Sequence, residues 1–316
     1  MRDLFLLDFS FLSGINAWNE QVARSYKGRE EGGSVFMLVS KYDSRFLLAL
    51  QIDHSRVAGY LAAHWGNDVF AEPRPYSSVV LAAQEHDNGW WEWEIKPSLN
   101  DQGYPLDYIT DGSLKYLGQL RLDFYKHGVE RLVERDPYAG LIVLMHGIGL
   151  FNKAYGLLAY MPDHTTRPDV QEYIRDQEAL QKRVLAELRR STEFQEFSTD
   201  EEIWRNFKLM QVYYTLAQFL CNRYPLNNAE RQNGPSNTLG DTAVPVAPGK
   251  PDVTLTVEVK DETRAEVRPY PFDINPLNVS FPARLVPSRP YRSQEEFLKD
   301  FYKAERITVS YRLQAP

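Results

Sequence analysis

The hydrophobic period changes once along this chain, and that change limits the folds open to it. From about residue 53 to 222, apolar residues recur at three- and four-residue spacing, the mark of helices with one buried face. From residue 253 they alternate singly, as in "VTLTVEVK" (253–260), which is the pattern of strands with one buried face. The spacing therefore predicts a helical body followed by a β segment.

The helical stretch is preceded by "VFMLVS" (35–40) and "FLLALQ" (46–51), separated by "KYDSR", which read as a β-hairpin. A helix follows in "DHSRVAGYLAAHWG", capped by Asp53 or Ser55, with Val57, Ala58, Leu61 and Trp65 inward and Gly66 ending it. Ser77 or Ser78 caps a second helix, "VVLAAQEHD", stopped at Gly89. Residues 90–112 are aromatic and irregular. Further helices are expected at about 114–134, 138–160 (Asp136 as cap, Pro137 in the first turn), 168–190 and 200–222, with Asp200 at the last start as a cap. The β segment adds strands in "AEVRPYPF", "LNVSFPARLV" and "RITVSYRL" and one short helix in "SQEEFLKDFYKA".

Four regions follow: an N-terminal extension (1–34), a helical core with its leading hairpin (35–224), a polar Asn/Gly/Pro-rich loop (225–251), and a C-terminal β segment (252–316). The β segment is expected as a small antiparallel sheet packed on the core, which strands 35–50 could join, with a separate sandwich as the alternative. The predicted fold class is mainly α.

With 316 residues the chain can bury a sizeable core. A net charge of −7 without any basic tract argues against nucleic acid as the main partner. The start, "MRDLFLLDFSFLSG", is broken by Asp3 and Asp8, and no apolar run approaches the ~20 residues of a membrane span. The lone Cys221 fits a reducing compartment, and a cytoplasmic location is expected.

Of six histidines, three fall on inward helical faces. His54 shares a face with Val57, Ala58 and Leu61; His86 with Val79, Ala82 and Ala83; His146 with Ile142, Val143, Gly149 and Leu150. His64 is rotated off its helix face, and His127 and His164 stand in polar surroundings. A lone inward histidine is usually a core residue. Three of them, with Asp87 adjacent to one, form a ligand set for Zn, Fe, Mn or Co drawn from separate helices. The expected ligands are His54, His86, Asp87 and His146, holding a divalent metal ion. Glu85 is the candidate for proton transfer beside Asp87. Trp90, Trp91 and Trp93 are candidates to wall a substrate pocket and stack a flat ligand, or else to plug the end of the helical body.

Four segments, "QIDHSRVAGYLAAHWG" (51–66), "EHDNGWWEWEIKPSLN" (85–100), "DPYAGLIVLMHG" (136–147) and "RPYPF" (268–272), resemble in order the bacterial family numbered 3891 among the domains of unknown function. His54 followed by the His86–Asp87 doublet is also similar to the HD superfamily of metal-dependent phosphohydrolases. That resemblance implies an HD-like helical bundle, with His54, His86 and Asp87 as its metal ligands and His146 as an added one. Gln51, Asp53 and Tyr214 join the tryptophans as the implied pocket lining. The HD pattern also requires a late inward aspartate, and "KLMQVYYTLAQFLC" (208–221) has none; Tyr213 or Tyr214 stands in the expected place, with Gln211 and Gln218 as poor substitutes.

Three functions are carried forward. The first is a metal-dependent hydrolase of a small, phosphorylated molecule, in which the cation brings the pKa of bound water towards ~7. The second keeps the ligands but uses iron in oxygen-dependent cleavage. The third is a degenerate ligand-binding or interaction protein.

Overall fold

The computed structural model describes residues 37–108, 119–152, 165–227 and 238–316. The extension 1–34 and His164 lie outside the described residues. The hairpin forms as expected from β1 (Leu38–Tyr42) and β2 (Arg45–Ala49), with Asp43 at positive φ in its two-residue turn. A single residue, Leu50, then leads into α1 (Gln51–Ala63). After it come α2 (Tyr76–Glu85), a 3₁₀ turn (Asn88–Trp90) and the short α3 (Trp91–Glu94). The larger helices are α4 (Gln119–Arg135), α5 (Pro137–Asn152), α6 (Pro168–Leu188) and α7 (Asp200–Cys221). The expected continuation of α5 to 160 lies outside the described residues. The β segment contributes β3 (Thr238–Val244), β4 (Val253–Val259), β5 (Arg264–Arg268), β6 (Leu277–Pro287), α8 (Gln294–Lys303) and β7 (Glu305–Gln314). β3 falls inside the stretch read as polar loop.

The fold expectation is overturned in one respect. The strands are not a small antiparallel sheet on a helical bundle but a major, curled half-barrel element. Seven strands join in one sheet, in the order β1-β2-β6-β7-β5-β4-β3. The hairpin enters it because β2 pairs antiparallel with β6, Arg45 opposite Pro287 and Leu47 opposite Leu285. The sheet is mixed, since β5 runs parallel to β7. Local alternation specifies which residues form strands, but not which distant strand each one joins.

The main core runs continuously from helices into sheet, combining Val57, Leu61, Leu141 and Leu216 with Leu47, Val279 and Leu313. A second cluster, with Leu48, Val286, Phe297 and Phe301, lies under α8. The sheet thus supports the end of α1 at which His54 sits.

Several local expectations also change. Asp136 caps α5 as predicted, its Oδ1 accepting from Ala139 N–H at 2.9 Å. α7 is capped by Thr199 Oγ1, which accepts from Glu202 N–H at 3.2 Å, and not by Asp200. Neither Asp53 nor Ser55 caps α1, and neither Ser77 nor Ser78 caps α2, whose N-cap is Pro75. Ser78 instead donates to Asp136 at 2.7 Å, tying α2 to the start of α5.

Candidate metal centre

The free N–H groups at the start of α1 are satisfied from a distance. The Glu94 carboxylate accepts from Gln51 N–H and, at 3.0 Å, from Ile52 N–H. Glu94 is buried, and burial pushes its carboxyl well above the usual range despite those two donors. This cap fixes the first turn of α1 and with it His54.

His86 follows the last residue of α2, and Asp87 begins the turn that leaves the helix. The next residues bring the chain against α4 so tightly that a Cβ on Gly89 would lie 1.9 Å from the Phe124 carbonyl oxygen. Asn88 closes this junction by donating to the Glu85 and Gly128 carbonyls at 2.7 and 3.0 Å.

His54, His86 and Asp87 converge: one potential ligand atom from each lies within 4.8 Å of the other two. His54 Nδ1 is 3.3 Å and His86 Nε2 is 3.2 Å from the same atom, Asp87 Oδ2. The opposite ring nitrogens are tied to backbone carbonyls, His86 Nδ1 to Ala83 at 2.8 Å and His54 Nε2 to Tyr214 at 3.3 Å. A neutral imidazole has one N–H to give. With both N–H groups assigned to carbonyls, both remaining lone pairs face one carboxylate oxygen. Three acceptors turned on one another repel unless a proton or a cation joins them.

The electrostatics show the same demand. Burial alone would lift the Asp87 carboxyl, but the two histidines outweigh it and hold the group well below the usual carboxylate range. Burial would depress His86, yet Asp87 more than compensates and raises it. His54 is lowered, chiefly by burial. The spacings fit a cation as well. Two ligands about 2.1 Å from one ion are separated by roughly 3.0–3.4 Å, and the two nitrogen–oxygen distances fall in that interval.

The other expected site residues separate into groups. His146 is buried, with its ring 5.2 Å from that of His86, but it is not among the three converging ligands. Its pKa is lowered well below the usual value, by burial and then by His86. The Tyr214 ring meets all three imidazoles, at 5.3 Å from His54, 5.6 Å from His86 and 4.9 Å from His146. It occupies the place where an inward aspartate was sought, and its hydroxyl accepts from Gln218 Nε2 at 3.0 Å. Gln211, one turn earlier on that face, is fully buried with neither amide atom hydrogen-bonded.

Glu85 is turned away from the cluster, 3.8 Å from Arg135 and lining an outer cleft. One helical step from His86, about 100°, turns it aside from the cluster. Gln51 contributes its backbone to the Glu94 cap. Asp53 pairs with Arg56 at 3.0 Å. The tryptophans disperse: Trp90 is buried against Phe124 with ring centroids 4.9 Å apart, Trp93 packs on the same ring at 5.1 Å, and Trp91 is 53% exposed. They do not form one wall. His64 bonds Asp273 at 2.8 Å, off the cluster.

Two contributors were missed. Glu94 lies in a stretch that reads as irregular. Arg121 is buried with its Nη2 donating to Tyr108 at 3.0 Å, and its guanidinium stands 5.2 Å from the Tyr108 ring and 5.5 Å from that of Phe151. Its position one turn before Phe124 and Tyr125, on a helix with an inward stripe, was the available signal. Burial would lower its pKa, but Tyr108 and Tyr125 outweigh that and Tyr214 adds to them. Arg121 thus sets a fixed, buried positive charge beside Tyr108 and Tyr125.

The cleft that Glu85 lines has a volume of about 500 Å³ and is bounded by α1, α2, α3 and α4. His54, His86 and Asp87 are not in its lining. It lies on the outer side of the segments whose inner side forms the cluster.

A family model described as "Protein of unknown function (DUF3891)" matches residues 37–288, which include every residue of the cluster. Comparison with curated proteins and with solved structures returns no match. Nothing in these comparisons connects the chain with the HD superfamily. No helix among the described residues is long and apolar enough to cross a membrane.

Proposed function

The chain belongs to the DUF3891 family, and we propose that it is a divalent-metal protein whose centre serves hydrolysis of a phosphoester. One observation supports this reading above the rest: two imidazole lone pairs and a carboxylate oxygen turned on one another without a donor among them. His54, His86 and Asp87 would hold the ion, and it would supply an activated water and charge neutralisation at phosphorus. Ala83 and Tyr214 orient the two rings through their carbonyls, as partners behind metal-bound histidines commonly do. Tyr214 and His146 exclude water from one side of the imidazoles.

The enclosure of the cluster favours a second reading, a metal centre that stabilises or senses without turnover. His54, His86 and Asp87 are only 1, 2 and 4% exposed. Elemental analysis of protein purified without a histidine tag separates these possibilities. Wild type should retain about one divalent ion per chain, and His86→Ala and Asp87→Ala should retain at least roughly tenfold less. Equal, negligible metal in all three discards both readings. Metal-dependent hydrolysis of an activated phosphodiester, lost in both variants, supports the first; metal retained without hydrolysis supports the second.

A further inference from the structure

α7 carries three buried side-chain amides, and the protein satisfies two of them. Asn206 Nδ2 donates to the Tyr138 hydroxyl at 2.8 Å and to the Arg74 carbonyl at 2.6 Å. Gln218 Nε2 donates to the Tyr214 hydroxyl at 3.0 Å. Gln211 lies between them, fully buried, and neither its Oε1 nor its Nε2 is hydrogen-bonded. Its backbone is not the cause, since the Gln211 carbonyl accepts from Thr215 Oγ1 at 2.8 Å. A buried amide without partners lowers stability, and an apolar side chain of the same shape would avoid that loss.

The position of Gln211 shows what the amide could serve. Residues 211, 214 and 218 fall within about 60° of one another around a helix. Gln211 therefore shares a face with Tyr214, whose ring meets His54, His86 and His146 and whose carbonyl bonds His54 Nε2. Asn206 bonds Tyr138, and eight residues further along both helices the Tyr214 and His146 rings stand 4.9 Å apart. α7 and α5 thus run side by side in one direction, and Gln211 lies on the stretch between those two contacts, one turn before Tyr214.

Three protein ligands leave one position of a four-coordinate ion to water. His54, His86 and Asp87 are buried and the Tyr214 ring lies over the imidazoles, so such a water has protein groups, not solvent, for its remaining hydrogen bonds. Building on the reading of this cluster as a metal centre, we propose that the Gln211 amide holds the water carried by the ion. An amide suits that task because it offers one oxygen both a donor and an acceptor without adding charge.

Titration of cobalt(II) into metal-depleted wild type and Gln211→Met tests the proposal, with binding read from the visible absorption of the ion and thermal transitions recorded on the metal-free proteins. The substitution removes the amide at nearly constant volume. Metal-free Gln211→Met should melt about 2 °C or more above wild type. It should nevertheless bind cobalt(II) roughly tenfold more weakly, with an altered absorption spectrum. Wild-type affinity and spectrum in Gln211→Met would overturn the proposal while leaving the metal centre standing. A metal-free variant no more stable than wild type would also overturn it, because the amide would then be serving the fold. If wild type itself binds no cobalt(II), the metal reading fails and this proposal fails with it.

Discussion

The helices and the sheet treat polar groups in opposite ways. Among the described residues, Ser40 is the only buried polar residue on a strand; the other buried polar and charged side chains belong to helices and their connections. β6 and β7 alternate almost without fault between buried and exposed, so polar residues on them reach water by the period of the strand. α5 and α7 are buried around most of their circumference, and there a polar residue can only be satisfied internally or left wanting. The acids follow their surroundings. On the sheet, Glu258 is lowered by its bond to Lys260, and in the turn between β4 and β5 Asp261 is lowered by Thr263 and Arg264. Among the helices, Asp53, Glu94 and Glu130 are raised, by burial first, whereas Asp87 is held down by its two histidines and Asp169 by Arg167. The sheet is thus built for stability, whereas the helical interior carries a polar load that stability alone does not explain.

The largest effect that would break this comparison is in the sheet. Leu313 is fully buried on β7, between β6 and β5. Leu313→Ala should cost about 2–5 kcal/mol in chemical denaturation while leaving metal content per folded chain at the wild-type value. A parallel loss of metal would show that the sheet and the cluster form one energetic unit, and the distinction would fail.

A smaller effect sharpens the boundary. Glu94 joins the helical interior to the point where α1 leaves β2. Glu94→Ala removes the acceptor for two backbone donors and should destabilise the protein by about 1–2 kcal/mol. Glu94→Gln keeps an acceptor and should recover most of that loss. Equal destabilisation by both would mean that charge, not capping, is what Glu94 supplies.

How much of this was legible follows from the same contrast. Strand positions in β4, β6 and β7 could be read nearly to the residue, because alternation is a local signal. Their assembly could not: Leu47 meets Leu285 across most of the chain, and nothing near either residue names the other. The approach of His54 and His86 was legible from helical register and that of Asp87 from its place beside His86, while His146, read inward by the same register, lies outside the group of three. The roles around them were less so. Glu85 and His86 differ by one helical step yet meet different partners, Arg135 and Asp87, and the three tryptophans of 90–93 went to core and surface according to a turn whose geometry depends on the close approach at Gly89. The Glu94 cap was invisible because its donors lie some forty residues away.

The smallest expected effect tests the raised acids directly. Glu130 on α4 is half-buried, and burial, with Glu134 adding and Lys126 opposing, pushes its carboxyl up to about 7. In the unfolded chain the same group titrates near 4.5. Between those values the folded protein holds a proton that the unfolded chain has released, so this group's contribution to stability is fully present below about 4.5 and is lost as pH rises through about 7. Glu130→Gln removes the ionisation. Because the side chain is partly exposed, the variant should gain only about 1 kcal/mol or less over wild type at pH 8, and that gain should vanish at pH 4.5. The paired acids of the sheet and its β4–β5 turn carry the opposite sign, since stability from Glu258 or Asp261 is lost as pH falls. A denaturation series in which Glu130→Gln and wild type keep a constant difference from pH 4.5 to 8 would show that Glu130 titrates normally, and that Asp53 and Glu94 alone of these three are raised by burial.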